Sequence, residues 1–166
     1  LYIAAQEGRT AVVKALLRAD AEVNTAMISE KKSFTLNSGP NVITSCLENN
    51  DGDDLDDNTV SGTTPLMIAS AVGHKQAVLA FIEASAKIDA LDANGCTALY
   101  VSVINKHIEV TKILIQAGAD VMLALTLAER HSDTTVFDAI TAVKDKIDAD
   151  AIAQTPEANQ MIAYIR

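Results

Sequence analysis

The sequence predicts an all-α solenoid of about four to five stacked helix-turn-helix repeats with short β-hairpin connections. Three observations predict it. The chain repeats itself: Leu1-Tyr2-Ile3-Ala4-Ala5, Leu66-Met67-Ile68-Ala69 and Leu99-Tyr100-Val101 open similar stretches. Leu66 and Leu99 are 33 residues apart, and Leu1 and Leu66 are 65 apart, one short of twice that. A period of this length marks stacked supersecondary units, none of which buries its apolar face alone. The second observation is helix punctuation. Thr64-Pro65 combines a side chain that caps free backbone N–H groups with a residue that pre-sets the first helical φ, and Gly73 ends the helix eight residues later. The third is composition: 49% apolar, but only three Tyr, three Phe and no Trp. Ala, Val, Ile and Leu carry the packing, which suits thin layers of closely approaching helices.

All 166 residues are read as a single domain. Residues 1–26 form a truncated first repeat with Gly8, Val12-Val13, Leu16-Leu17 and Ala21-Glu22-Val23-Asn24. The chain opens at a Leu where a first helix should already be under way. This suggests an excised segment, with a hairpin or further repeats ahead of Leu1. Residues 27–58 have two readings, a degenerate repeat or an insertion. Asn41 to Asn49 reads as a second helix, Ser33-Phe34-Thr35-Leu36 as the start of a first, and Ser38-Gly39-Pro40-Asn41 as their turn. A long surface loop is the alternative, although loops above about 15 residues are uncommon in compact domains.

In the repeat over 59–91, Leu66, Ile68 and Ala69 line the first helix. Ala77-Val78 and Phe81-Ile82, at i, i+1, i+4 and i+5, make the stripe of the second. Ala86-Lys87-Ile88-Asp89 leaves that helix, and Asp92-Ala93-Asn94-Gly95 is turn chemistry. The repeat over 92–122 follows with Thr97, Leu99, His107, Val110 and Leu114-Ile115. Residues 123–166 are a divergent C-terminal repeat with capping helices. A first helix is expected at about 123–131, and a second, capped by Ser132 or Asp133, carries Val136-Phe137 and Ile140. A last helix starts at Thr155-Pro156, with Met161, Ile162 and Ile165 on its apolar face. A stack closes its open end with a less apolar outer surface.

Thr64-Pro65-Leu66, the Gly73-His74 pair and the ending Gly118-Ala119-Asp120-Val121 resemble the hallmarks of the ankyrin repeat. The likeness is strong over 59–121 and good over 1–24. Where that family has a His in the first helix, this chain has Tyr2, Met67 and Tyr100, which puts the usual inter-repeat bonds of that His in doubt. The resemblance implies a non-catalytic protein–protein interaction module that binds through hairpin tips and the concave face of the first helices. By position, the helix ends supply Gln6, Glu7, Ala71, Val72, Ile104 and Asn105. The tips supply Val60, Ser61, Thr63, Leu91, Ala93 and Asn94, with Thr25, Ala26 and Cys96 beside them. Val60, Val72, Leu91 and Ile104 are expected to form an apolar spine. The rival reading is a regulatory or targeting segment of a larger enzyme, kinase or channel, with 123–166 docked on another domain.

The net charge of −9 favours solubility, suits a protein partner with a basic surface, and disfavours nucleic acid. Asp51 to Asn58 is the most acidic run. An EF-hand register fails there, because placing Gly52 at the glycine position puts Leu47 at the first ligand position. No GxSxG, HExxH, Walker A or GxGxxG motif occurs, and no enzyme, cofactor or metal site is expected. His74, His107 and His131 fall at or near successive inter-helix turns, which is a structural position. Asn24 is expected to stabilise its hairpin turn. Its segment also resembles those that asparaginyl hydroxylases modify in ankyrin repeats. Cys46 and Cys96 show no CxxC or zinc spacing, and no apolar run approaches the roughly 20 residues of a membrane span. A monomeric, intracellular and cytoplasmic module is the expectation.

Overall fold

The computed structural model describes residues 1–26, 62–93, 95–130, 136–143 and 145. Its helices run in antiparallel pairs: α1 (Tyr2–Gln6) with α2 (Thr10–Arg18), α3 (Pro65–Val72) with α4 (Lys75–Glu83), and α5 (Ala98–Ile104) with α6 (Ile108–Gln116). Then come α7 (Val121–Arg130) and α8 (136–143). Among the described residues the connections are turns, with a single isolated bridge at Thr63 in place of hairpin strands.

The starts of the first helices follow from Thr and Pro. The Thr64 hydroxyl accepts from the Met67 N–H at 3.3 Å, and the Met67 sulfur accepts from the Thr64 N–H at 3.4 Å. This closes a capping box with a thioether in place of the usual Glu or Gln. Thr97 caps α5 likewise, accepting from the Tyr100 N–H at 3.1 Å. Met67 and Tyr100 therefore stand at the third helical position, and both are buried.

Each helix ends by the same device. The backbone turns left-handed at Gly8, Gly73 and Lys106 after the first helices, and at Asp20, Ser85 and Gly118 after the second. Beyond each of these residues an N–H bonds back five residues: Arg9 to Ala4 O, His74 to Ala69 O and His107 to Ser102 O, each at 2.9 Å. The second helices match with Ala21 to Leu16 O, Ala86 to Phe81 O and Ala119 to Leu114 O. These are the 6→1 bonds of Schellman endings, which satisfy carbonyls that a helix end leaves open.

The pairs stack directly: α1 packs on α3 and α3 on α5, while α2 packs on α4 and α4 on α6. Among the described residues no helix pair separates α1–α2 from α3–α4, and the degenerate repeat or insertion of 27–58 lies outside those residues. Two polar ties recur at each interface. His74 Nε2 lies 3.0 Å from Gln6 O and His107 Nε2 lies 3.0 Å from Ala71 O. A carbonyl only accepts, so in both rings Nε2 carries the proton. The Asn24 carboxamide oxygen accepts from the Lys87 N–H at 2.8 Å, and the Asp89 carboxylate accepts from the Asp120 N–H at 2.9 Å. Asn24 thus ties its repeat to the next layer. The inter-repeat bonds in doubt after loss of the family's first-helix His are supplied instead by these turn histidines.

One continuous core runs from Ala4 to Ile140, centred on Leu66, Ile68, Phe81, Leu99 and Leu114. The buried serine and threonine hydroxyls between its helices are paired locally. Ser70 donates to Leu66 O, Ser102 donates to Leu99 O, and the Ser102 and Thr111 hydroxyls lie 3.0 Å apart.

The turn glycines give a test. A Cβ on Gly73 would lie 2.5 Å from the His107 ring, whereas one on Gly118 would meet nothing within 4 Å, although both have φ near +90°. Gly118→Ala carries backbone strain alone, about 1 kcal/mol. Gly73→Ala also displaces His107 and costs roughly 2–4 kcal/mol by the same urea-denaturation measurement.

Candidate protein-binding surface

The interior first helices leave little for a partner. Every residue from Pro65 to Ala71, and from Ala98 to Val103, is buried. Small side chains such as Ala69, Ser70 and Ala71 allow α1, α3 and α5 to close on one another. Of the helix-end positions that the sequence reading assigned to binding, Ala71 alone is buried in this way. Ala71 is fully buried, and its carbonyl is occupied by His107. Val72 and Ile104 are half-buried and pack against the core. Val72 and Ile104, the helix-end members of the expected apolar spine, thus lie partly against the core and partly open to solvent. Val60, the spine's remaining tip member besides Leu91, lies outside the described residues.

The other positions separate clearly. Glu7 is exposed, and Gln6 and Asn105 are half-buried at the ends of α1 and α5. Gln6 offers its carbonyl to His74, and the Asn105 amide donates to Val101 O at 2.7 Å. Thr63 is buried, and its hydroxyl has no partner among the described residues. Leu91 is 53% exposed and Ala93 is exposed beside it. Ser61 and Asn94 lie outside the described residues, as do the acidic run 51–58, Cys46 and His131.

Leu91 and Ala93 sit on a braced loop. The Asp92 N–H donates to Cys96 O at 3.1 Å, the Gly95 N–H donates to Asp92 O at 3.0 Å, and the Cys96 N–H donates to the Asp92 carboxylate at 2.8 Å. Gly62 packs so close that an added Cβ would stand 3.0 Å from the Ala93 nitrogen. Asp92 and Cys96 are both buried in this turn.

Two concavities lie at the ends of the stack. At the C-terminal end, a cleft of about 510 Å³ runs between the α5–α6 turn, with Val103 and Ile108, and α8, with Ala139, Ala142 and Val143. It is mostly apolar, and the sequence reading did not find it, because α8 meets that turn only in the tertiary structure. At the N-terminal end, a shallow depression of about 450 Å³ is lined by Leu1, Tyr2, Ile3 and Ala21 to Ala26. Between the repeats, Lys75 and Glu109 form an exposed ion pair at 3.3 Å, and exposed pairs of this kind contribute little. Among the described residues no group of three or more His, Cys, Asp or Glu side chains converges to hold a metal ion, and no helix is long and apolar enough to cross a membrane.

Two outcomes are expected. Val72→Asp and Ile104→Asp each introduce a charge against the core, so each should lower stability by about 1–3 kcal/mol in thermal melts. The second concerns pH. Burial pushes the Tyr2 hydroxyl up from 10.0 to about 12, because desolvation disfavours the phenolate. The folded value lies above the unfolded one, so this contribution is fully present below pH 10 and is lost as pH rises toward 12. A melting temperature that falls across this window, and falls less in Tyr2→Phe, is the expected result.

A family model for ankyrin repeats (three copies) matches residues 33–124. The chain is 34% identical over 85 residues to ankyrin repeat and SAM domain-containing protein 6 of Mus musculus, covering 51% of this chain and 9% of that protein. It is 36% identical over 58 residues to potassium channel AKT2/3 of Arabidopsis thaliana, covering 35% of this chain and 7% of that one. The matched regions therefore span under a tenth of either relative. With more than half of its length matched by the family model, and with the same capped helices and left-handed turns recurring from layer to layer, this chain belongs to the ankyrin repeat family.

Proposed function

We propose that the protein is a non-catalytic protein–protein interaction module whose partner docks on the hairpin side of the stack, centred on Leu91 and Ala93. The observation that carries this is the braced tip. Leu91 is a large apolar side chain held toward water by a loop whose backbone is already fixed through Asp92, Gly95 and Cys96. A partner that covers it gains apolar burial without having to order the loop. The net charge of −9 suits a partner with a basic surface, and a monomeric, cytoplasmic module accords with this reading. Glu7 and Asn105 at the helix ends extend the surface, with the tip residues Val60, Ser61 and Asn94 that the sequence assigns to it.

A second reading has its own support. The relatives include a protein that also has a SAM domain and a potassium channel, each matched over less than a tenth of its length. The chain would then be the regulatory or targeting segment of a larger protein, with the C-terminal cleft beside α8 as its docking face. The complete open reading frame separates the two readings.

The test installs a photo-crosslinking residue at Leu91 or Ala93, with exposed Gln116 on the far side of α6 as control. Crosslinks to one protein from the two tip positions, absent from Gln116, are expected. Leu91→Asp should weaken that complex at least about tenfold while leaving the melting temperature within roughly 2 °C. Equal crosslinking at Gln116 would move the interface away from the tips.

A further inference from the structure

We propose that the apolar cleft beside α8 is filled by the chain's own C-terminal segment, residues 155–166. The cleft is a seam between two layers. Val103 and Ile108 come from the α5–α6 layer, and Ala139, Ala142 and Val143 come from α8. A further repeat would stack on the outer face of α7 and α8, which is a different place. The opening arises from a departure inside the chain. At the two interfaces ahead of it, a histidine ring packs where the Cβ of a turn glycine would stand, His74 at Gly8 and His107 at Gly73. The third turn has Lys106, at φ 60°, and its Cβ excludes a ring from the equivalent seat. About 510 Å³ stays open beside it.

The wall of this cleft is apolar where the stack asks for nothing apolar. Ile108 opens α6 and is 54% exposed. The residues that open α2 and α4 at the equivalent positions are Thr10 and Lys75, both polar. Ile108 therefore serves no interface that the other layers share. It is the residue a cover over the seam would touch.

The occupant follows from chemistry and reach. Residues 146–166 lie outside the described residues, and the sequence predicts a last helix from Thr155-Pro156. Ala158, Met161, Ile162 and Ile165 fall at i, i+3, i+4 and i+7, which makes one apolar stripe. A helix of this length does not persist alone in water, so the stripe requires a cover. The outer faces of α7 and α8 do not offer one. Besides Ala142, which lines the cleft, their exposed residues are Met122, Thr126, Glu129, Asp138 and Thr141. Residues 146–154 reach up to about 30 Å when extended, against about 12 Å for the length of α8. The chain leaves α8 beside Ala142 and Val143, so it can turn straight back along the cleft. Ala139 and Ala142, at i and i+3, let a helix approach closely. The rim carries Lys106 and Asp138, and Glu157 and Arg166 bracket the stripe, so each charge meets an opposite one when the segment runs antiparallel to α8. Held this way, the segment masks Ile108, and a partner reaches the cleft only by displacing it. This is independent of the Leu91 tip.

Amide exchange on the full 166-residue chain tests it. The amides of 159–166 should exchange at least about tenfold more slowly than in a free peptide of the same sequence. Ile108→Asp and Ile162→Asp should each return them to the peptide rate while α3 and α5 keep their protection. Ile108→Thr restores the residue type of Thr10 and leaves α6 undisturbed, and it should still speed exchange of the segment at least about threefold. Thr141→Arg, on the outer face of α8, should change nothing there. Absence of protection in the wild type would overturn the proposal, as would protection that survives Ile108→Asp. Protection lost in Thr141→Arg would place the segment on the outer face instead. Protection that disappears on dilution, together with a dimer in sedimentation, would give the cleft to the segment of a second copy and overturn its filling by the same chain.

Discussion

The contact on which the rest of the structure depends is the seat of one layer's turn on the next. A left-handed glycine lets the chain reverse after a short first helix, and the space where its Cβ would stand is filled by a histidine ring from the following layer. The ring then donates to a carbonyl two residues before the glycine, as His74 does to Gln6 and His107 to Ala71. One residue type supplies the fold of the turn, and another supplies the lock between layers. Both are needed, because helices of five to nine residues are too short to persist alone in water. Their stability comes from packing against the neighbouring layer.

That dependence explains how exposed surface is divided across the molecule. The first helices of interior layers are so small-chained that they close on one another and keep almost nothing for a partner. The loops cannot be buried in that way, and they are braced by their own hydrogen bonds. A surface that is both exposed and preorganised is therefore found at the Leu91–Ala93 loop. The ends of the stack behave differently again. Depressions of about 450 and 510 Å³ lie there, one beside α1 and one between the α5–α6 turn and α8.

The interior also shows how the chain tolerates departures from its family pattern. Met67 and Tyr100 occupy the place of the first-helix histidine, yet the helix starts remain closed. Thr supplies the acceptor in both cases, and in α3 the Met67 sulfur completes the reciprocal bond. Lys106 stands where glycine stands in the other two layers, with φ of 60° and the same bond back five residues from the N–H that follows it. The packing of the next element holds a backbone conformation that the residue itself does not favour. Asn24 and Asp89 show the converse: residues that suit turns by local chemistry are used to reach across to another layer.

By itself the sequence determined the repeat, the helix pairs and nearly every turn. These depend on local chemistry at fixed spacing: Thr and Pro at helix starts, residues that accept positive φ at helix ends, and apolar stripes between. The same locality made α7 legible to within about two residues and put Val136, Phe137 and Ile140 on the helix that follows, despite the broken period. Only the tertiary structure decided which faces meet. Spacing alone did not show that α1–α2 lies directly against α3–α4, nor that Val72 and Ile104 pack in part against the core. Nor did it show that the turn histidines bridge layers. Whether an apolar side chain is core or surface in a stack depends on the neighbour ahead of it, as the contrast between exposed Ile3 and buried Ile68 shows. That neighbour is a property of assembly, and no residue's own chemistry specifies it.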